Sequence, residues 1–154
     1  MINQRVVELN QLQVIGMSCD TTMDEKDTKV PRLVNEFHSE YIHEVRNRIN
    51  APKSFGIFID PPNWDPETEA FTWIAGVEVT DLEQIPKGMV GKTIPAHKYV
   101  VLDYHPQTDD INPYQFIHNW LKDAGYEQTG NFGFSVYHPY TGEDTAYSLH
   151  IPIK

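Results

Sequence analysis

Phe55-Gly56-Ile57-Phe58-Ile59-Asp60-Pro61-Pro62 returns without a gap as Phe132-Gly133-Phe134-Ser135-Val136-Tyr137-His138-Pro139. Phe, Gly and the last Pro are identical, and Ile57/Phe134 and Ile59/Val136 keep their type. After a short difference in loop length, Trp73–Val79 falls on Tyr147–Ile153. Two similar strands at the same place in the same order point to an internal duplication. Residues 1–154 then form one domain of two β-α-β-β halves, about 1–80 and 88–154, related by a pseudo-two-fold. Such a pairing leaves a crevice between the halves.

The flanking patterns supply the rest of each half. Arg5–Thr21 carries Val6, Val7, Leu9, Leu12, Val14, Ile15 and Met17, a strand or a bent pair of strands. Between Pro31 and Asn50, Leu33, Phe37, Tyr41, Val45 and Ile49 recur at steps of four, which predicts a helix ended by Ala51-Pro52. In the second half Lys92–Tyr104 reads as a strand. Asn112 is an N-cap before Pro113, with Gln115 completing a capping box and Gly125 closing the helix. Phe116, Ile117, Trp120 and Leu121 form its core stripe, and Tyr140–Asp144 is a turn between the last two strands.

Composition narrows the function classes. The chain has 154 residues, 12 Lys and Arg against 22 Asp and Glu, a formal charge of −10 and one cysteine. That length suits a single core. An acid excess with scattered basic residues argues against direct nucleic-acid binding. A lone Cys19 leaves no internal disulfide or cysteine-based zinc site. No apolar run is long enough for a membrane span and no signal-peptide pattern is present, so the expectation is cytoplasmic. The seven histidines lack ligand spacing, and no cofactor or metal is expected. A triad of Ser135, His150 and Asp60 lacks the G-x-S-x-G elbow.

Several stretches resemble a known bacterial family. Ile94–Val101, Phe116–Tyr126, Phe134-Ser135-Val136-Tyr137 and Ile151-Pro152-Ile153, with a weaker match at Trp73–Val79, are similar to the GyrI-like effector-binding domains. These also occur behind helix-turn-helix segments in AraC-type and MerR-type regulators. The resemblance implies an α+β fold: an antiparallel sheet, two helices on one side and a ligand cleft between the halves. It further implies an amphipathic or aromatic small-molecule ligand, and a stand-alone protein linked to transcription regulation or xenobiotic sequestration. The alternative is a small hydrolase of electrophilic xenobiotics using a cleft carboxylate. A protein partner, inhibited through the acidic surface, would fit the family name.

Side-chain alternation selects the candidate ligand contacts. The aliphatic sets Phe55, Ile57, Ile59 and Phe132, Phe134, Val136 are expected under the helices, leaving Phe58, Asp60, Ser135 and Tyr137 on the open face. The family pattern Phe-Glu-x-Tyr becomes Phe134-Ser135-Val136-Tyr137, and a second acidic position falls at His150. Both family acids are therefore missing, which removes the basis for a cation preference and for a carboxylate-based enzyme. Trp73, Glu78 and Tyr99 complete the candidate set, with Glu78 and Asp60 the acids that a rearranged cleft would use instead.

Overall fold

The computed structural model describes residues 3–142 and 144–154. Met1, Ile2 and Glu143 of the last turn lie outside the described residues. The elements in chain order are β1 (Asn3–Leu9), β2 (Leu12–Thr21), α1 (Lys26–Glu36), β3 (Ser54–Ile59), β4 (Phe71–Val79), β5 (Val90–Ile94), β6 (His97–Tyr104), α2 (Pro113–Ala124), β7 (Phe132–Tyr137) and β8 (Tyr147–Pro152). All strands pair antiparallel in one eight-stranded sheet ordered β1-β6-β8-β7-β3-β4-β2-β5.

That order reads the same from both ends once each strand is replaced by its repeat counterpart. The axis runs between β3 and β7, where Ile57 pairs with Phe134, and Phe58 with Gly133 mirrors Gly56 with Ser135. These are the positions that the ungapped match equates. Each half also holds a leading strand, which the sequence reading allowed as one of a bent pair in the first half and merged into its neighbour in the second. β1 pairs with β6 of the other half and β5 with β2, so the leading strands are exchanged.

The exchange forces curvature. β1 and β2 are six strand spacings apart, about 29 Å if flat, yet Asn10 and Gln11 alone join them, a reach of about 11 Å. The sheet therefore curls until its edges approach, and its concave face closes on its own core. Val14, Phe55, Ile57, Ile74, Ile94, Tyr99, Phe134 and Val136 fill it, with Val7, Leu9 and Leu12 at the margin. The other face carries both helices. Leu33 and Val34 of α1 pack on Phe71, Trp73, Ala75, Val77 and Val79, and Ile117 and Leu121 of α2 on Val100, Leu102, Leu149 and Ile151.

Two expectations about the sheet are corrected. The aliphatic sets of β3 and β7 lie inside the curl, and Phe58, Ser135 and Tyr137 lie on the helix-bearing face. A sheet buried on both faces gives hydrophobicity no vote on which side is which. Trp73 stands opposite Phe58 and Leu149 opposite Ser135, so pairing relates Trp73 to Leu149 and not to Tyr147. A two-residue slip keeps every side chain on its face, which is why the letters concealed it.

The first helix begins at Lys26, includes Pro31, and passes through a π turn at Phe37–Tyr41 into a 3-10 turn at Ile42–Glu44. Val45 is already extended. Trp120 is half-buried, stacked on Tyr126 at 5.5 Å. The second helix matches its expected punctuation. The Asn112 side chain accepts from Tyr114 N and Gln115 N at 3.0 and 3.2 Å, and Gly125 ends it at φ 79°.

Candidate functional site

The strip of sheet at the two-fold, between α1 and α2, is floored by glycine. Gly56 of β3 and Gly133 of β7 stand where a Cβ would collide with an aromatic ring: 2.5 Å from the six-membered ring of Trp73 and 2.4 Å from the tip of Phe58, respectively. A glycine in a strand interior allows such close approach. Each ring therefore lies against bare backbone. Trp73 stacks on Phe58 at 6.3 Å between centroids, and Tyr114 of α2 meets Phe58 edge-on at 5.6 Å. Phe58 and Ser135 are repeat counterparts. Ser135 is too small to cover Gly56, and Trp73 covers it from the neighbouring strand.

Tyrosines form the wall beyond. Tyr137 packs edge-on against Tyr140 at 5.2 Å and Tyr147 at 5.8 Å. A cavity of about 100 Å³ opens there between Val30, Pro31 and Val34 of α1 and Tyr137, Tyr140 and Tyr147. Burial pushes the Tyr114 hydroxyl up to about 12, and the nearby Asp60 charge adds to this. Burial likewise raises Tyr137 and Tyr147, with the neighbouring tyrosines contributing. All three stay protonated donors at neutral pH. Asp60 lies beside Tyr114, and its own carboxyl is raised by burial.

α1 is tied to this floor through His38. Its Nδ1–H donates to Val34 O at 2.7 Å, which leaves Nε2 to accept from Ser54 Oγ at 2.8 Å, and Tyr140 stacks on the ring at 4.5 Å. Burial holds this imidazole below its ordinary range, so it is neutral.

Of the eight side chains selected from sequence, Phe58, Trp73, Ser135 and Tyr137 share this face, with Asp60 at its α2 end. Tyr99, Glu78 and His150 lie on the concave face. Tyr99 is fully buried and its hydroxyl donates to Pro95 O at 2.7 Å. His150 stacks on Phe134 at 4.4 Å, and Glu78 accepts from Asn50 Nδ2 at 2.9 Å. In β8 the residues that face α2 are Leu149 and Ile151, so His150 necessarily points the other way. Sequence reasoning passed over Tyr114, Tyr140, Tyr147 and the two glycines. The repeated Phe-Gly pair was the available signal.

A larger concavity, about 760 Å³, lies among the loops at one end of the second half, bounded by Asp103, His105, His138 and Asp144. It lies between two loops, with Tyr104 and Tyr147 in its lining, and without the glycine floor.

Across residues 5–153 the sequence matches the Cass2 model, described as integron-associated effector-binding protein. The chain belongs to this family. Like its relatives, this Cass2-family chain is a GyrI-like effector-binding domain. It is 27% identical over 144 residues to the transcriptional regulator BrlR of Pseudomonas aeruginosa, a match covering 88% of this chain and 48% of BrlR. The chain thus spans about half the length of that curated relative.

Two solved structures share the Cass2-family chain's fold. An integron cassette protein from the mobile metagenome of Vibrio cholerae superposes with a TM-score of 0.64 at 17% identity, covering 98% of this chain and 95% of that one. SAV2435 bound to tetraphenylphosphonium superposes with a TM-score of 0.71 at 13% identity, covering 99% and 94%.

Proposed function

We propose that this domain binds an aromatic small-molecule effector at the pseudo-two-fold, between α1 and α2, and that the bound state serves transcription regulation or sequestration. The observation that carries this is the floor: two glycines beneath Phe58 and Trp73, walled by Tyr114, Tyr137 and Tyr147. A glycine inside a strand often marks where a ligand approaches the backbone, and ligand sites are lined by aromatic side chains with a few polar groups. The ligand-bound SAV2435 structure supports a small molecule as the class of effector.

The test is thermal shift with a panel of neutral, cationic and anionic aromatic amphiphiles. A ligand at about a hundred times its dissociation constant adds ~2.7 kcal/mol, which raises Tm by several degrees. A panel without any shift would count against the reading.

Position 135 sets the charge preference in this proposal. Ser135→Glu is expected to shift the affinity ratio of tetraphenylphosphonium over triphenylphosphine oxide about tenfold toward the cation. A charge pair at ~4 Å and an effective dielectric near 20 gives about 4 kcal/mol, and desolvation offsets most of it, leaving roughly 1–2 kcal/mol. Calorimetric titration of both proteins reads the ratio, and an unchanged ratio would remove residue 135 from the site.

Hydrolysis is the second reading, and Asp60 is the observation that favours it. It is a half-buried carboxylate with a raised pKa at the edge of the same face. Product accumulating beyond one equivalent, and lost in Asp60→Asn, would establish it.

A further inference from the structure

Among the described residues, two buried side-chain nitrogens lack any hydrogen-bond partner: Arg48 Nε and Trp73 Nε1. The Arg48 guanidinium is otherwise engaged, donating from Nη2 to Lys53 O at 3.0 Å. Trp73 has one donor and it is unspent. The residue is 8% exposed, so water is largely excluded from its ring. An unsatisfied buried N–H is costly to leave, and native structures rarely do so without a reason.

The position of this donor gives the reason. Nε1 lies 3.4 Å from the point where a Gly56 Cβ would stand, directly over the floor of the site. Gly56 pairs across the two-fold with Ser135, whose side chain points to the same face. A larger acceptor at 135 would extend over Gly56 toward the indole. Serine is short, and its hydroxyl does not take up the indole N–H. A donor is therefore held over bare backbone, within the apolar cluster that holds Val34, Ala75 and Phe58.

We infer that the Trp73 indole N–H is a recognition group for an uncharged aromatic ligand bearing a hydrogen-bond acceptor, such as a diaryl ketone, and that this acceptor takes the place over Gly56. The inference rests on the proposed effector site and specifies its ligand class. Acceptor-bearing ligands satisfy the indole on binding. A ligand of the same shape without an acceptor leaves it orphaned, and a cation gains nothing from a donor. Entry requires the Trp73 ring to lift from Gly56, since the two are now in contact; its neighbours Phe58 and Tyr114 are rings that can restack on the ligand. Asp60 is the competing influence, a carboxylate at the α2 end of the same face that would favour a cation.

Three diphenyl compounds of matched size separate these: benzophenone, diphenylmethane and benzhydrylammonium. Benzophenone is expected to bind about tenfold more tightly than diphenylmethane, and benzhydrylammonium no more tightly than diphenylmethane. Trp73→Phe should abolish the benzophenone advantage while diphenylmethane still binds. In ¹H–¹⁵N spectra of the wild type, the indole proton absent from Trp73→Phe should move downfield with benzophenone and not with diphenylmethane. The wild-type titrations stand even if the variant folds poorly, because the affinity ratio of benzophenone to diphenylmethane is read without it.

Equal affinities for benzophenone and diphenylmethane, a benzophenone advantage that survives in Trp73→Phe, or strongest binding of benzhydrylammonium would each overturn the inference. The last outcome would assign ligand choice to Asp60. If none of the three binds while tetraphenylphosphonium does, the acceptor inference falls and the effector site stands. If no aromatic amphiphile binds at all, both fall.

Discussion

Gly16→Ala is expected to destabilise the domain by more than about 3 kcal/mol, a fall in Tm of roughly 10 °C, or to prevent folding outright. Gly16 of β2 pairs with Gly76 of β4 near the middle of the longest ladder in the sheet. A Cβ at Gly16 would stand 2.0 Å from Ala75 O and 2.5 Å from Gly76 Cα. Both are backbone atoms, so no side-chain rotation relieves the overlap, and the two strands must separate. The same ladder carries Trp73 opposite Cys19 and places it over Gly56. Separation there disturbs the floor of the site as well as the fold. Gly125→Ala is the comparison, since that cap needs φ 79° but has open space around it. Its cost should be about 1–2 kcal/mol, the penalty for a left-handed alanine. Urea denaturation of both variants decides the point. A Gly16→Ala midpoint no lower than that of Gly125→Ala would show that the close approach carries no energetic weight. Loss of soluble protein for Gly16→Ala alone would agree with the prediction.

The duplication was legible because it is written in residues with a backbone role. Phe55-Gly56 and Phe132-Gly133 repeat, and the sheet places Ile57 against Phe134 at the axis that their alignment implies. The cap of α2 was legible for a similar reason, since Asn112, Pro113 and Gly125 each answer a local backbone need. What was not legible depends on tertiary closure. Whether Phe55 and Ile57 face helices or the inside of a curl is settled by Asn10 and Gln11, a connection too short for a flat sheet. Local pattern contains no such information. Once the faces exchange, Tyr99 and His150 pass from candidate cleft residues to the concave core, and Trp73 and Ser135 come together. The end of α1 is a related case. Phe37, Tyr41 and Val45 keep a helical spacing, but the chain widens into a π turn and then tightens, and Val45 leaves the helix altogether.

His150 makes the domain acid-sensitive in a defined window. Burial against Phe134 and Tyr99 brings its pKa down to about 4. Its Nδ1–H, donated to Ser148 O at 2.9 Å, and the nearby Asp103 act the other way, while Arg5 and His138 add to the lowering. In the unfolded chain an ordinary histidine titrates near 6.5. Between those values the unfolded state binds a proton that the folded state refuses, so stability falls as pH falls. The loss begins near pH 6.5 and is complete near pH 4. At about 1.4 kcal/mol per unit it totals roughly 3 kcal/mol from this one group. His38 and His138 are lowered in the same direction, again mainly by burial, and add a smaller slope. Asp60, whose pKa is raised, works against the trend only as it takes up its proton near the acid end.

His150→Phe keeps the ring on Phe134 and removes the titration. The variant should lose most of the decline in urea midpoint between pH 6.5 and 4.5, whatever its stability at pH 7.5. A wild-type midpoint that stays flat across that range, or a variant that declines as steeply, would sink the assignment. Proton NMR of the His150 ring gives the same answer without a variant: its resonances should hold still from pH 7.5 down to pH 5.5.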